Sequence, residues 1–237
     1  MMLDVVEIPS GVVRRGTPIA EIDDVVRRHA DLGLPRSYFA KEAPRAHVHV
    51  PGFSIARVPV TRGGYAAFCR AAGKSPALER DDHPANVTWG DATQYCAWLA
   101  GVWGLSVRLP SEVEWERVAR GDDTREYPWG DRFRADAANL AEAGIGGTAP
   151  VGSFPQGASP YGVLDLVGNL DEWTSTVFAP YDGAPSDVPA VEAWAPDPHV
   201  TRGGGYLNHR DMARCARRHG VYPPHNTAGF RVVIDQR

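Results

Sequence analysis

Three histidines, His209, His219 and His225, fall within 17 residues near the end of the sequence, and Asp171 precedes them. Two imidazoles and one carboxylate form the iron site of non-haem oxygenases, so Asp171 with two of these histidines suggests iron or another transition metal. Asp171 with His209 alone would instead be an acid–base pair, because histidine titrates near neutral pH. The alternative without chemistry is that these are solvent-exposed loop residues, some of them in salt bridges with neighbouring arginines.

The elements that would position these residues are short. Residues 3–9 and 46–59 have the composition of strands, the second stretch broken at Pro51–Gly52. Residues 17–32 have apolar residues at helical spacing, which predicts a helix. Thr61 is placed to cap a helix that runs to Ala72, and Asp91 to open one through Leu99. A third helix begins at Ser111, since Ser111 and Glu114 have the form of a capping box.

From about residue 121 onward no long helical period is present. Glycine, proline, asparagine and aspartate dominate, and short apolar runs at 150–154, 163–167, 200–206 and 229–234 predict strands. The chain has 25 glycines and 20 prolines but no linker and no repeat of 20–50 residues. We therefore predict one loop-rich domain.

Charge and composition limit the partners. A net charge of −4 argues against nucleic acid, which requires a basic surface. No stretch approaches the roughly 20 apolar residues of a membrane span, and no signal peptide is readable. Three cysteines are too few for a disulfide scaffold, which predicts a reducing, cytoplasmic location. The sequence does not indicate an oligomeric state.

Six segments that contain tryptophan or glycine carry a family resemblance. They are HPANVTWGDATQYCAWL (83–99), RLPSEVEWERVARG (108–121), YPWGD (127–131), YGVLDLVGNLDEWTS (161–175), TRGGGYLNHRDMARCARR (201–218) and GFRVV (229–233). In this order they resemble the sulfatase-modifying-factor family, also called the formylglycine-generating enzyme family. The resemblance implies an α+β fold over residues 1–237: a single, loop-rich domain, similar to C-type lectins, with little regular secondary structure.

The resemblance also implies structural calcium. A family segment that wraps calcium matches residues 165–172, where Asp165 and Glu172 would give carboxylate oxygens and Gly168 and Leu170 backbone carbonyls. Calcium accepts six to eight such oxygens in irregular loops. The alternative is that both acidic residues only cap turns. A second, weaker match comprises Asn139, Leu140 and Glu142, with the family's acidic position falling at Ala143.

Formylglycine-generating members of the family oxidise a substrate cysteine with copper held by two thiols. The first thiol position matches Asn208 here, and the second falls near Ala213. Cys96 and Cys215 match structural cysteines whose disulfide partners are missing. The resemblance therefore argues against copper and against formylglycine generation in this chain.

The altered positions suggest a remodelled pocket lined by Asp171, Asn208, His209 and Arg210, with His219 and His225 on the following loop. The first hypothesis is a biosynthetic, oxidase-like enzyme acting on a small molecule or peptide, because some relatives carry out chemistry without the copper thiols. The second is a non-catalytic module that binds a ligand or protein through residues 205–228, a window rich in Tyr, His, Asn and Arg.

Overall fold

The computed structural model describes residues 4–76, 80–188, 198–220 and 227–236. The strands are β1 (Val5–Ile8), β2 (Gly11–Arg15), β3 (Ala46–Val50), β4 (Phe53–Ala56), β5 (Val107–Arg108), β6 (Glu172–Val177), β7 (His199–Arg202) and β8 (Val233–Asp235). The helices are α1 (Ile22–Arg28), α2 (Arg36–Ala40), α3 (Arg62–Ala71), α4 (Trp89–Trp103) and α5 (Glu112–Arg120). This is a mixed α/β fold with few helices, as the sequence predicts.

The largest sheet joins the two ends of the chain. Its four strands are antiparallel in the order β1-β4-β8-β5, so the last strand lies between strands from the first half. β2 pairs with β3 along its whole length, and β6 pairs with β7. The β6–β7 ladder is irregular between Trp173 and Val177. Its first pair, Glu172 opposite Arg202, adjoins the candidate site.

Local capping signals predict α3 and α5 well. Thr61 caps α3 by accepting from the Gly64 N–H at 3.1 Å, and Ser111 with Glu114 forms the predicted capping box of α5. The predicted start of α4 is wrong. Its cap is Thr88, which accepts from the Asp91 N–H at 3.1 Å, so Asp91 lies in the first turn. An acidic residue is favourable there as well as at the cap, which explains the error.

The helix predicted over 17–32 is three pieces. A 3₁₀ turn (Ile19–Glu21), α1 and a second 3₁₀ turn (Ala30–Leu32) follow one another, and Gly33 ends the run in a left-handed conformation with φ of 64°. The apolar periodicity is therefore correct, but it does not reveal the breaks. Helix α2, only five residues long, is missed by the sequence analysis.

In the second half, two of the four predicted strands are present. Strands β7 and β8 overlap the runs at 200–206 and 229–234, whereas the runs at 150–154 and 163–167 form a turn, a bend and irregular segments. These two runs bond to distant loops instead of to a ladder: the Val151 N–H donates to Asp82 and the Leu164 N–H to Arg57. Within the described ranges, no helix has the length and apolar character needed to cross a bilayer.

Helix α5 is buried although five of its residues carry charge: Glu112, Glu114, Glu116, Arg117 and Arg120. The Glu116 carboxylate is fully buried and accepts from Arg120 at 2.9 Å and from Arg202 at 2.8 Å. Glu112 binds Arg218 through both of its oxygens. Buried charges are tolerated only when they are paired in this way, so α5 fixes the arginines that surround it.

Low pH should destabilise the fold, because it protonates these carboxylates. Burial disfavours the ionised form of Glu116, but Arg120 and Arg202 outweigh it and hold its pKa below the ordinary value. Glu114 behaves likewise beside Arg108. A carboxyl group whose pKa is lower in the folded than in the unfolded protein stabilises the fold. The full stabilisation is present above the pKa of the unfolded state, about 4.3 for glutamate. That stability is lost as the pH falls through the folded values.

We therefore expect the melting temperature to decline steadily below about pH 5. The measurement is a set of thermal melts followed by circular dichroism in matched ionic strength. Glu116→Gln should melt lower at neutral pH and show a shallower dependence on acid. A wild-type melting temperature that stays constant down to pH values well below the unfolded pKa would contradict this prediction.

Candidate active site

A cavity of about 470 Å³ opens beside the start of β6. Its lining residues are Tyr38, Asn86, Leu170, Asp171, Gly205, Tyr206, Leu207, Asn208, Met212, Arg217, His219, Gly220, Thr227 and Ala228. The walls combine aromatic and aliphatic side chains with a few polar groups. That composition is typical of sites for small organic ligands.

Asp171 is fixed at the cavity by its own backbone. Its carbonyl accepts from the Gly229 N–H at 2.7 Å, and the Trp173 N–H donates to the Gly229 carbonyl at 2.9 Å. The next two side chains, Glu172 and Trp173, lie in the core. The Asp171 side chain, by contrast, remains 22% exposed and lines the cavity.

His219 is the imidazole that faces Asp171. Its Nε2 lies 2.9 Å from Asp171 Oδ1, within ion-pair distance, but the two atoms are not aligned for a hydrogen bond, and Oδ1 has no hydrogen-bond partner among the described residues. The backbone of His219 exchanges hydrogen bonds with Thr201 of β7, at 2.7 and 3.3 Å. Because β7 pairs with β6, the same two-stranded sheet holds both members of the pair. His219 is only 7% exposed, and its Nδ1 has no hydrogen-bond partner among the described residues.

Asn208 also lines the cavity, but its side-chain oxygen stabilises a turn. Oδ1 accepts from the Gly205 N–H at 2.7 Å, and the Asn208 N–H donates to the Gly205 carbonyl at 2.9 Å. The Asn208 carbonyl accepts from Ala141. The residue at the family's thiol position therefore shapes the cavity wall.

His209 and Arg210 are not among the residues that line this cavity. His209 is 57% exposed, with Nδ1 3.4 Å from Glu142 Oε1. The Arg210 N–H donates to the same oxygen at 3.0 Å, and its guanidinium binds Asp31. The structure thus gives Asp171 the partner His219, whereas the sequence hypothesis paired it with His209. His225 lies outside the described residues.

Two lining residues, Tyr38 and Arg217, were not singled out from the sequence. Tyr38 lies on α2, the helix that the sequence analysis missed. Arg217 is one of many arginines in its segment, and residue type alone does not separate it from its neighbours. Only the fold shows that it borders the cavity.

The three cysteines do not fit a copper dithiolate. Cys69, Cys96 and Cys215 are all free and buried, and none lines the cavity. Burial raises the pKa of the Cys96 and Cys215 thiols to about 12, which disfavours the thiolate that binds Cu(I). No step of a copper mechanism can be derived from these residues.

Comparison with known proteins agrees with this architecture. The sequence profile of the sulfatase-modifying factor enzyme 1-like domain matches residues 2–236. The chain belongs to the sulfatase-modifying factor family. The sequence resemblance is thereby confirmed across nearly the whole chain.

Named members of the family differ in activity. The chain is 34% identical to the formylglycine-generating enzyme of Bos taurus over 181 residues, 68% of this chain and 46% of that protein. It is 31% identical to hercynine oxygenase of Mycolicibacterium thermoresistibile over 247 residues, 82% of this chain and 53% of the relative. The chain therefore spans about half the length of these relatives.

A solved structure matches this chain over a larger share of its own length than these two relatives do. PvdO from Pseudomonas aeruginosa superposes with a TM-score of 0.75 at 28% identity, covering 98% of this chain and 94% of that one. The fold described above is therefore shared with a sulfatase-modifying factor structure of nearly the same extent.

The segment 165–172 does not fit the family's calcium ligand set as it is arranged. Both Glu172 oxygens are taken: Oε2 accepts from Trp115 at 2.9 Å and from Arg231 at 2.7 Å, and Oε1 accepts from Arg231 at 2.5 Å. Asp165 Oδ2 accepts from the Gly152 N–H at 2.7 Å. A guanidinium already neutralises Glu172, and a calcium ion beside it would be repelled.

Gly168 and Leu170, the two carbonyl residues of that set, also have structural roles. Gly168 adopts φ of 76°, and a Cβ there would lie 2.6 Å from the Asn139 carbonyl oxygen, so only glycine fits this approach. Leu170 lines the cavity. The loop is therefore organised by backbone packing and by Arg231.

The second match offers unpaired oxygens. Asn139 is 1% exposed, and its Oδ1 has no hydrogen-bond partner in the described part of the chain. Glu142 Oε2 is likewise buried without a partner. The Leu140 carbonyl accepts from the Ala143 N–H at 2.9 Å and closes the 3₁₀ turn between them. Orphaned buried oxygens require a water or a cation, so these residues fit a hard metal ion in part.

Of the carboxylate and two imidazoles that the iron hypothesis requires, the described residues bring together one of each, Asp171 and His219. Across the four described ranges, no group of three or more His, Cys, Asp or Glu side chains is arranged to hold a metal ion. The described residues therefore do not form a facial iron triad, and no step is derived through iron.

Proposed function

We propose that this chain is a divergent biosynthetic enzyme of the family that acts on a small molecule or a peptide and does not generate formylglycine. One observation supports the proposal: the Asp171 carboxylate borders the cavity, and its Oδ1 lies 2.9 Å from His219 Nε2. A carboxylate held against an imidazole at a cavity wall is suited to proton transfer.

The two residues have different roles in this proposal. Asp171 is partly exposed to the cavity, and its Oδ1 is turned towards His219. Its other oxygen is left to accept a proton from a bound substrate. His219 is nearly buried and held by Thr201, so it acts as the positioning residue for the carboxylate.

Oxygen is the oxidant that we propose for the reaction. The support is the relative named hercynine oxygenase, which aligns with 82% of this chain. The copper-thiolate route lacks support, because Asn208 stands at the thiol position and the three cysteines are buried elsewhere. The proposed enzyme is thus oxidase-like: the substrate loses two electrons and two protons, Asp171 removes the first proton, and O2 takes up the electrons and protons to form hydrogen peroxide.

A substrate screen tests the proposal. Purified protein is incubated in air with a library of amino acids, small carboxylic acids and short peptides, and products are detected by mass spectrometry alongside oxygen uptake. We expect a product of changed mass that appears with wild-type protein and not with Asp171→Asn. Ligands that bind in the cavity without any change of mass would contradict the enzyme proposal.

Such an outcome would favour the alternative of a binding module that uses residues 205–228. The observation that supports it is Leu207, which is 70% exposed at the cavity rim beside Tyr206. Exposed apolar and aromatic side chains at a rim are typical of recognition surfaces. Residues 221–226 of this window lie outside the described ranges.

We also propose structural calcium at the loop that contains Asn139 and Glu142. If it binds only the folded chain, a calcium concentration about 100 times Kd stabilises the fold by about 2.7 kcal/mol. Chelation should then lower the melting temperature by about 5 °C or more. Glu142→Gln should reduce this shift, while Glu7→Gln, on the exposed edge of β1, should retain it. Equal melting temperatures with calcium and with chelator would disprove the proposal.

A further inference from the structure

Arg217 differs from the other buried arginines of the described chain. The other six each donate to a carboxylate, namely Arg117 to Asp122, Arg120 and Arg202 to Glu116, Arg214 to Glu42, Arg218 to Glu112 and Arg231 to Glu172. Arg217 is 2% exposed, yet the nearest carboxylate among the described residues, that of Asp211, lies 3.8 Å from Nε. That distance is too long for a hydrogen bond.

The remaining contacts of Arg217 are neutral. Nη1 donates to the carbonyls of Tyr38 at 2.8 Å and Arg218 at 2.9 Å. Nε has no hydrogen-bond partner among the described residues, but the same is true of Arg117, Arg202 and Arg214, so the missing hydrogen bond to a carboxylate is what distinguishes Arg217. The ion pair with Asp211, which lacks a hydrogen bond, repays the desolvation of this buried guanidinium only in part. Arg217 also lines the cavity, where an anion can reach it.

We infer that Arg217 binds the carboxylate of a small organic acid that enters this cavity; the inference rests on the proposed function, and it names the substrate class. A guanidinium is a strong donor to carboxylates. Nη1 already donates to two carbonyls and Nε is buried near Asp211, so Nη2 is the nitrogen left to donate to the ligand. Asp171 lines the same cavity and Asp211 lies beside the guanidinium. These two negative charges favour a monoanion over a dianion such as phosphate.

The separation of Arg217 and His219 along the chain indicates the size of the ligand. Arg218, between Arg217 and His219, turns the other way and binds Glu112 in the core. Arg217 and His219 therefore border the same cavity two residues apart, a backbone span of at most about 7 Å. One small molecule can place its carboxylate on Arg217 and its reacting group at Asp171.

The rest of the cavity indicates an apolar or aromatic body for this acid. Tyr38, Leu170 and Met212 supply the walls between the polar groups. A free aromatic amino acid derivative and the C-terminus of a peptide share this chemistry. We therefore test both sources with separate probes.

The test is calorimetric binding of N-acetyl-L-tyrosine, its amide N-acetyl-L-tyrosinamide, and the peptide Ala-Ala-Ala-Tyr. A hydrogen bond to a charged group contributes about 1.5–3 kcal/mol, so the acid should bind roughly 10–100 times more tightly than the amide. Binding of the peptide as well would identify a chain terminus as a ligand. Inorganic phosphate should not compete.

Two variants with opposite expected effects on acid binding make the result decisive. Arg217→Met should remove the preference for acid over amide, while the exposed Arg134→Met should keep it. Asp211→Asn leaves Arg217 in place and should tighten acid binding, so it decides the matter even if Arg217→Met does not fold. Equal Kd values for acid and amide, no binding of any probe, or an Asp211→Asn variant without effect would overturn the inference.

Failure of the two proposals can be told apart. Acid-selective binding without any turnover would leave the Arg217 assignment standing and refute the enzymatic proposal. Turnover of substrates that lack a carboxylate would support the enzyme and refute the role of Arg217.

Discussion

Arg231→Met is expected to lower the free energy of unfolding by about 3–5 kcal/mol, because it leaves the buried Glu172 carboxylate without a countercharge. Arg231 is fully buried, and its Nε and Nη2 bind both oxygens of Glu172. The same guanidinium satisfies four backbone carbonyls, those of Ala56, Arg57, Leu164 and Asp165. One substitution therefore leaves both a charge and several acceptors unpaired.

Urea unfolding followed by tryptophan fluorescence measures the effect. Arg134→Met is the matched control, since Arg134 is exposed and pairs with Asp136 at the surface. That control should change stability by no more than about 0.5 kcal/mol. An Arg231→Met protein within about 1 kcal/mol of wild type would show that Glu172 has another source of charge compensation, such as a bound cation.

Asp171→Asn should lower the turnover number by about 10²–10⁴-fold on any substrate that the screen identifies, which is the usual contribution of a positioned base. Asparagine keeps the shape of the side chain but does not accept a proton. Its backbone contacts with Gly229 do not involve the side chain, so the fold should persist. His219→Gln should cost less, because a donor remains beside Asp171.

Initial rates under saturating substrate, with circular dichroism as a check on folding, measure these effects. Asp136→Asn provides the control, because Asp136 is an exposed carboxylate paired with Arg134. Turnover by Asp171→Asn within about threefold of wild type would exclude Asp171 as the base, given the expected loss of at least about 10²-fold.

Features set by neighbouring residues were predictable from the sequence. The capping box at Ser111 and the Thr61 cap depend on contacts three residues apart, and both are present. The start of α4 was misplaced because Thr88 and Asp91 are both favourable near a helix start. Strand β2 was missed, and within the described residues its ladder partner is β3, more than 30 residues later. Pairing between strands so far apart in the sequence is not indicated by the residues next to either strand.

The candidate site was predictable in residue type more than in arrangement. Asp171 and Asn208 do line the cavity, and sequence reasoning named both. The choice of His219 over His209 as the neighbour of Asp171 depends on the bridge between Thr201 and His219, a contact across 18 residues. In the described part of the chain Arg217 has no hydrogen bond to a carboxylate; this is a property of packing, and the number of arginines in the sequence does not reveal it.

The charged helix α5 also constrains how the chain can fold during synthesis. Glu116 is paired with Arg202, 86 residues later, and Glu112 with Arg218, 106 residues later. At ribosomal rates of about 5–20 residues per second, these arginines emerge roughly 5–20 s after the helix. Until then the two carboxylates favour water over the interior. Arg120 pairs with Glu116 within the helix, but the centre of the molecule is expected to close only after Arg202 and Arg218 have been synthesised.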